Sequence, residues 1–252
     1  MRRWVPIGVL VLLSFRSLPA AMITIEAIQD NSLFSEMVGT NHLSNGAGDH
    51  LFAGTTANGH FRRALVLFDV AAHVPVGATI DSAVLRMQVT RRPVTSSHLH
   101  ILHRLTSDWG EGASDAAGME GTGTTAQPGD TTWQHTFFDP VTPASWTTPG
   151  GDFNPTVSSS FAISDEDSDF VFFPSTADTV SDVQLWLDNP PANFGWILLG
   201  VETAPLTATR FTSRNDEDGP LLILEFTPIP EPSTGLLLVL GTLCFGRAIV
   251  KK

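Results

Sequence analysis

Apolar and polar residues alternate in many short runs between residues 22 and 228, and turn-forming residues separate these runs. In the clearest run, residues 83–89, every second residue is apolar, so one face of a strand would be buried and the other would be wetter. Similar runs lie at residues 23–27, 49–53, 61–70, 98–105, 131–138, 157–163, 170–173, 196–201, 208–213 and 221–226. This pattern, with no βαβ alternation, predicts an all-β domain: an antiparallel two-sheet β-sandwich of jelly-roll type.

One segment has a helical period instead. Four apolar residues share one face of a helix over residues 179–187: Val180, Val183, Trp186 and Leu187. Ser181 and Gln184 have the spacing of a capping box, and Asn189 followed by two prolines would end the helix. The sequence therefore predicts a single short helix that plugs one end of the sandwich.

Residues 110–129 contain six glycines, and Thr, Ala and Ser make up most of the remainder. Such a segment has too little apolar surface to form an element of the core. We expect a long loop there, which serves either as a binding loop or as a spacer.

The first 21 residues have the composition of a Sec-type signal peptide. Arg2 and Arg3 precede an apolar run over residues 4–15, and the small residues of segment 18–21 suit signal peptidase. The alternative is a buried N-terminal strand or helix, for which an apolar run behind paired arginines is poorly suited. We expect signal peptidase to remove residues 1–21 during export.

The last residues, 229–252, form a second expected targeting segment. Pro230, Glu231 and Pro232 precede an uncharged apolar run, and the chain ends in a short basic tail. Residues 235–250 would form a transmembrane helix of about 24 Å, slightly short for a hydrocarbon core of about 30 Å, with the basic tail in the cytoplasm. This order of tripeptide, apolar helix and basic tail resembles the PEP-CTERM sorting signal of Gram-negative bacteria.

The resemblance implies a route to the cell surface. In that family an exosortase, a membrane transpeptidase-like cysteine protease, recognises the tripeptide, here Pro230, Glu231 and Pro232, and the helix is removed during transfer. The protein would cross the inner membrane, be anchored transiently by its C-terminal helix, and finish at the cell surface or in the extracellular matrix. A permanent membrane anchor is the alternative.

Without its two ends, the chain is strongly acidic. Residues 22–229 contain eight arginines, no lysine and 25 acidic residues, a net charge of −17. A field of that sign repels phosphate backbones, so we expect no nucleic-acid partner. A polyanionic ligand would need a concentrated arginine patch or bridging cations.

Eight short motifs are spread along the body. They lie at residues 61–69, 74–85, 102–112, 130–133, 146–153, 183–187, 193–196 and 210–214. Together they resemble the DNRLRE (disaggregatase-related) β-sandwich domains, and the similarity spans nearly all of residues 28–227. Such domains are similar to carbohydrate-binding modules, some of which recognise alginate. The resemblance implies that residues 22–228 form a non-enzymatic, exopolysaccharide-associated module.

Two residue types are candidates for binding a glycan. Trp109, Trp133 and Trp146 lie in or beside predicted loops, where their rings could stack on sugars; packing within the loops is the alternative. Arg210 and Arg214 share one strand face, which suits bidentate binding of carboxylates. Their alternative is internal ion pairing with acidic residues of the body.

Two acidic turns offer hard oxygen ligands for a structural calcium ion, the only cofactor considered. The candidate ligands are Asp165, Asp167, Asp169, Asp216 and Asp218. The first turn fails the EF-hand pattern at its sixth and twelfth positions. Solvated acidic turns are the alternative for both.

Three histidines invite a zinc hypothesis, which strand geometry disfavours. His98 and His100 would share one face of a strand while His103 would point to the other. The three could converge only at a bulge, so exposed strand histidines are the better interpretation.

Candidate catalytic groups are few. Asp108 and Glu111 flank Trp109 and could serve glycoside hydrolysis, but adjacent acids in a turn usually only face water. The body has no Tyr or Lys to act as a lyase base, and no nucleophile elbow is visible. We therefore expect the protein to have no enzymatic activity.

Two alternatives to the glycan-binding module remain. A structural or adhesive surface protein without a glycan site is the first alternative, and a glycosidase-like enzyme is the second.

Overall fold

The computed structural model describes residues 19–39, 42–93, 97–164 and 169–229. Most of the expected signal peptide lies outside these ranges, as do the tripeptide Pro230, Glu231 and Pro232 and the apolar segment that follows it. In the described ranges, no helix has the length and apolar character that crossing a membrane requires.

The described chain is mostly β-structure with one α-helix. The strands are β1 (Ala21–Glu26), β2 (Gln29–Phe34), β3 (Leu43–Ser44), β4 (His50–Thr55), β5 (Phe61–Leu67), β6 (Thr79–Arg91), β7 (His98–Leu105), β8 (Thr124–Thr125), β9 (His135–Phe137), β10 (Ala144–Ser145), β11 (Phe153–Ile163), β12 (Phe170–Phe173), β13 (Trp196–Leu199), β14 (Thr209–Thr212) and β15 (Leu221–Thr227). The helix α1 spans Ala177–Asp188, and a 3-10 turn, Pro190–Ala192, follows it.

The long strands form one curled antiparallel sheet. Its order is β1-β15-β6-β14-β4-β5-β13-β7-β11, with β12 added beside β6 and β2 beside β5. The 13-residue strand β6 changes neighbours along its length: it pairs first with β15 and β12 and then, near its end, with β14. This change of partner carries the chain from one part of the sheet to the other.

The main core lies inside this curl. Strand alternation sends Leu85 and Met87 of β6 and Leu222 of β15 into the same cluster as Ala64 and Val66 of β5. Since both parts of the sheet bury their apolar faces against one another, burial of this surface is the main source of stability. The all-β prediction is confirmed.

The helix was predicted correctly in its apolar face but not in its start. Val183, Trp186 and Leu187 are buried as expected. The helix begins earlier, because Thr176 is the N-cap and exchanges hydrogen bonds with Thr179 in a capping box. Ser181, the predicted cap, is exposed in the second turn. The helix ends before Asn189, as predicted.

A second apolar cluster covers the outer face of the sheet. Leu65, between the inward-facing Ala64 and Val66, packs there with Leu105 and Ile197. Trp109 and Trp146, from the connections that follow β7 and β10, belong to the same cluster. These connections therefore act as a second layer over the sheet.

Candidate functional site

The tryptophans predicted to stack on sugars are mainly core residues. Trp109 is 2% exposed and Trp146 is 4% exposed. Their indole Nε1 groups donate to the carbonyl oxygens of Phe194 and Thr132, each at 2.9 Å. For both residues the structure shows the alternative, packing within the loops, because the outer face of the sheet needs apolar cover and these rings supply it.

Trp133 is half-buried and already has a partner on one face. The guanidinium carbon of Arg63 lies 4.7 Å from the centre of its ring. Arg63 is held in turn by Glu202, with nitrogen–oxygen distances of 2.7 and 2.8 Å. A sugar could therefore reach only the remaining face of this ring.

Arg214 is exposed but forms an ion pair with an acidic residue of the same chain. Its guanidinium makes two hydrogen bonds to Glu111, at 2.5 and 2.9 Å. This pair raises the pKa of Arg214, mainly through the hydrogen bond to the carboxylate. The alternative of internal pairing is correct for this residue, although the acidic partner comes from the loop after β7.

The same contacts occupy the candidate catalytic carboxylates. Glu111 also accepts the backbone N–H of Asp30 at 2.9 Å, and Asp108 accepts the backbone N–H of Trp109 at 2.9 Å. Glu111 thus fixes the start of the loop to β2 and to the segment after β14, whereas the bond of Asp108 lies within its own turn. Their observed contacts are those of structural residues.

The strand histidines are more buried than predicted. His100 is fully buried and His103 is 8% exposed, so exposed histidines were a wrong interpretation for both. Burial lowers the pKa of His100 to about 4, which keeps its ring neutral. His103 lies beside the carbonyl oxygens of Asn154 and Thr156, both at 3.0 Å from Nδ1. Within the described ranges, no cluster of three or more metal-ligating side chains occurs.

The candidate calcium ligands do not come together where they are described. Asp165 and Asp167 lie outside the described residues. Asp169 is 3.5 Å from Arg92, and Asp218 is 3.8 Å from Arg86, so an arginine stands beside each. Asp216 is exposed. Calcium binding stays a prediction.

The glycine-rich segment, residues 110–129, packs more tightly than predicted. Apart from β8 the segment is a loop, as predicted, but Ser114, Ala116 and Glu120 are buried. Hydrogen bonds provide the anchoring that apolar area does not: the carbonyl of Ser114 accepts from Ala47 at 2.8 Å. Glu120 accepts a hydrogen bond from the backbone N–H of His50 at 2.9 Å.

Half of the body's eight arginines line one surface cavity of about 230 Å³. These are Arg62, Arg91, Arg92 and Arg210, and they share the cavity with an apolar wall formed by Phe52, Pro93, Leu206 and Ala208. We call this cavity the arginine groove. It lies where the end of β6 meets β14 and β4. Among its described lining residues none is acidic.

The four arginines differ in how they are held. Arg62 is 2% exposed, pairs with Glu36, and donates to the carbonyl of Gly121 at 2.9 Å. Arg210 donates from Nε to the hydroxyl of Thr90 at 2.9 Å. Partial burial, followed by the like charge of Arg91, lowers the pKa of Arg210, and the charge of Glu120 partly offsets this effect. The guanidinium remains charged, but in a less solvated place than at an open surface.

Backbone strain is concentrated at the rim of the groove. In the described ranges, the two non-glycine residues with positive φ are Glu120 at 59° and Leu206 at 62°. Leu206 lines the groove, and Glu120 precedes Gly121, which also lines it. Left-handed backbone at such residues is costly and tends to persist where function requires it.

In comparisons with known proteins, no family model and no curated protein sequence matches this chain. The arginine groove is thus assigned from its geometry. Of the five candidate glycan-binding residues, it contains only Arg210. Arg91 and Arg92 were missed as site residues, although paired arginines in a lysine-free body are a visible signal at the end of a strand.

Proposed function

We propose that this protein is an exported, non-enzymatic protein of the cell envelope or extracellular matrix that associates with exopolysaccharide. In this proposal the β body is a sandwich of jelly-roll type, and the sorting segment delivers it through signal peptidase and an exosortase. The observation that carries the proposal is the arginine groove, a cavity lined by both guanidinium donors and apolar side chains. Saccharide sites need this combination, because sugars present both hydroxyls and C–H faces.

The contacts of the candidate catalytic residues favour binding without chemistry. Glu111 is tied to Arg214 and to the backbone of Asp30. A glycosidase needs one carboxyl group to donate a proton and another to act as nucleophile or base, both facing the substrate. The carboxylate of Glu111 is instead occupied by a guanidinium and a backbone N–H of the same chain.

A structural surface protein without a glycan site is the second candidate. The burial of Trp109 and Trp146 favours it, because two of the expected stacking rings are used in packing. The two candidates predict different behaviour toward polysaccharides.

Affinity electrophoresis of the purified protein separates these functions. We expect retarded migration in gels that contain the host's exopolysaccharide, and no new reducing ends when the two are incubated together. Unchanged migration in every polysaccharide gel would favour the structural protein. Release of reducing ends would indicate a glycosidase.

A further inference from the structure

We propose that the arginine groove is an anion subsite, in which Arg91 and Arg210 together bind one acidic group of a saccharide, a carboxylate or a sulfate ester. This inference rests on the proposed function, since it names the chemical class of the glycan that the groove takes. Guanidinium groups bind both kinds of oxyanion in bidentate geometry.

Arg91 and Arg210 differ from the other arginines of the body in their ion pairing. The other six arginines each have an acidic partner among the described residues: Arg62 with Glu36, Arg63 with Glu202, Arg86 with Asp218, Arg92 with Asp169, Arg104 with Asp182 and Arg214 with Glu111. In the described part of the chain, Arg91 and Arg210 form no ion pair within 4 Å, although the charge of Glu120 acts on Arg210 from a longer distance. In a body with 25 acidic residues, two adjacent arginines without such a partner are unexpected.

The two arginines are also neighbours across strands. Arg210 of β14 is in register with Arg91 of β6, next to an irregularity in the pairing. Like charges directly opposite one another destabilise a sheet. An anion between them would remove this repulsion, so the arrangement is one that a ligand completes.

The positions of the two side chains suit capture of a ligand from solution. Arg91 is exposed, whereas Arg210 is half-buried and oriented by Thr90. Exposure lets Arg91 make first contact, while the partly desolvated Arg210 provides a stronger interaction than it would in open water. Arg62 donates a hydrogen bond to the carbonyl of Gly121 and so fixes the wall of the groove there. Its charge is paired with Glu36, so we assign it no direct part in binding the anion.

The apolar wall and the size of the groove indicate how much ligand it takes. Leu206 is 63% exposed, and Met119, whose sulfur lies 3.6 Å from Arg210, is 57% exposed. These side chains offer a surface for the C–H face of a sugar ring. A cavity of about 230 Å³ lies below the range of about 300–1,000 Å³ typical of ligand pockets, so we expect it to hold one charged unit of a longer chain.

The test compares matched charged and neutral polymers on the intact protein. Its pairs are dextran sulfate with dextran, and polygalacturonate with its methyl ester. We expect the protein to bind at least one anionic polymer more tightly than its neutral partner, and added NaCl to weaken that binding. The sulfate and carboxylate arms then identify which acidic group is taken.

Variants of the groove arginines test whether the preference for anionic polymers arises in the groove. The double variant Arg91→Gln/Arg210→Gln should lose about tenfold or more in affinity for the anionic polymer, since each arginine supplies charged hydrogen bonds. Arg86→Gln removes the same charge from β6 outside the groove and should retain the affinity. The double variant should melt at the same temperature as the native protein or higher, because a like-charge pair is removed.

The outcomes separate the inference from the proposed function. Equal binding of charged and neutral polymers, or an unchanged affinity in the double variant, would overturn the anion subsite and leave glycan association standing. Failure to bind any polysaccharide would overturn both. If the double variant does not fold, Arg91→Lys/Arg210→Lys replaces it: weaker binding of the anionic polymer would support bidentate capture, and unchanged binding would oppose it.

Discussion

Sequence patterns failed most often to predict the burial of polar side chains. Asp30 is 1% exposed, and its carboxylate accepts the backbone N–H of Arg214 at 2.7 Å. Burial, only partly offset by this bond, raises the pKa of Asp30 to about 7. The nearby charged groups are Glu111, which favours the neutral form of Asp30, and the Arg214 guanidinium, which favours the charged form.

This raised pKa predicts a pH-dependent stability term. Well below pH 4 the carboxyl is protonated in both states; as the pH rises toward 7 the unfolded chain releases this proton while the folded chain retains it. The free energy of unfolding therefore falls through this window, by up to about 4 kcal/mol from this group. Asp30→Asn should remove that fall, as measured by urea unfolding at several pH values.

The difference between native and variant curves is the quantity to compare, because His100 contributes with the opposite sign at acid pH. The exposed Asp216→Asn serves as the control and should keep the native pH profile. Parallel curves for the native protein and Asp30→Asn would contradict the prediction.

At the scale of elements, periodicity located most of the long strands and the helix, but it missed β2. That strand has the sequence QDNSLF, with Asp30, Asn31 and Ser32 all buried, so no alternation is visible. Asn31 donates to the carbonyl of Glu111 at 2.6 Å and Ser32 accepts from the backbone of Phe52 at 2.9 Å. These polar residues are satisfied by distant segments, which a local pattern does not reveal.

The start of α1 offers a test at this scale. Thr176→Ala removes the acceptor for the backbone N–H of Thr179, and also the hydroxyl donor to the carbonyl of Ser158. We expect a loss of about 1–2 kcal/mol in the free energy of unfolding. Ser181→Ala, at the position where the sequence pattern placed the cap, should change it by less than about 0.5 kcal/mol. Equal losses in urea unfolding would show that the cap is not at Thr176.

At the scale of the whole molecule, charge is distributed unevenly. The body carries a net charge of −17, yet half of its arginines lie in one groove. We therefore expect the groove to attract anions although the net charge of the body predicts repulsion. Charge counts predict only the repulsion, because the groove depends on β6 and β14 meeting at their ends.

This distribution predicts opposite effects of salt on folding and on binding. Raising NaCl from about 0.01 M to about 1 M shortens the screening length from about 30 Å to about 3 Å. The self-repulsion of the acidic body should weaken, so the thermal midpoint should rise, while binding of an anionic polymer should weaken. A midpoint that falls with NaCl would mean that the six ion pairs outweigh the repulsion, which surface pairs rarely do.

The sequence by itself determined the class of fold, the apolar face and the end of the helix, and the acidity of the body, because period, turn residues and charge are local or additive properties. Only the tertiary structure decided which loop residues are buried and which arginines form no close ion pair among the described residues. Trp109 is buried because an outer sheet face needs cover, and Arg91 meets Arg210 because a long strand changes partners. Both facts arise from contacts between residues far apart in the chain, and such contacts leave no period to detect.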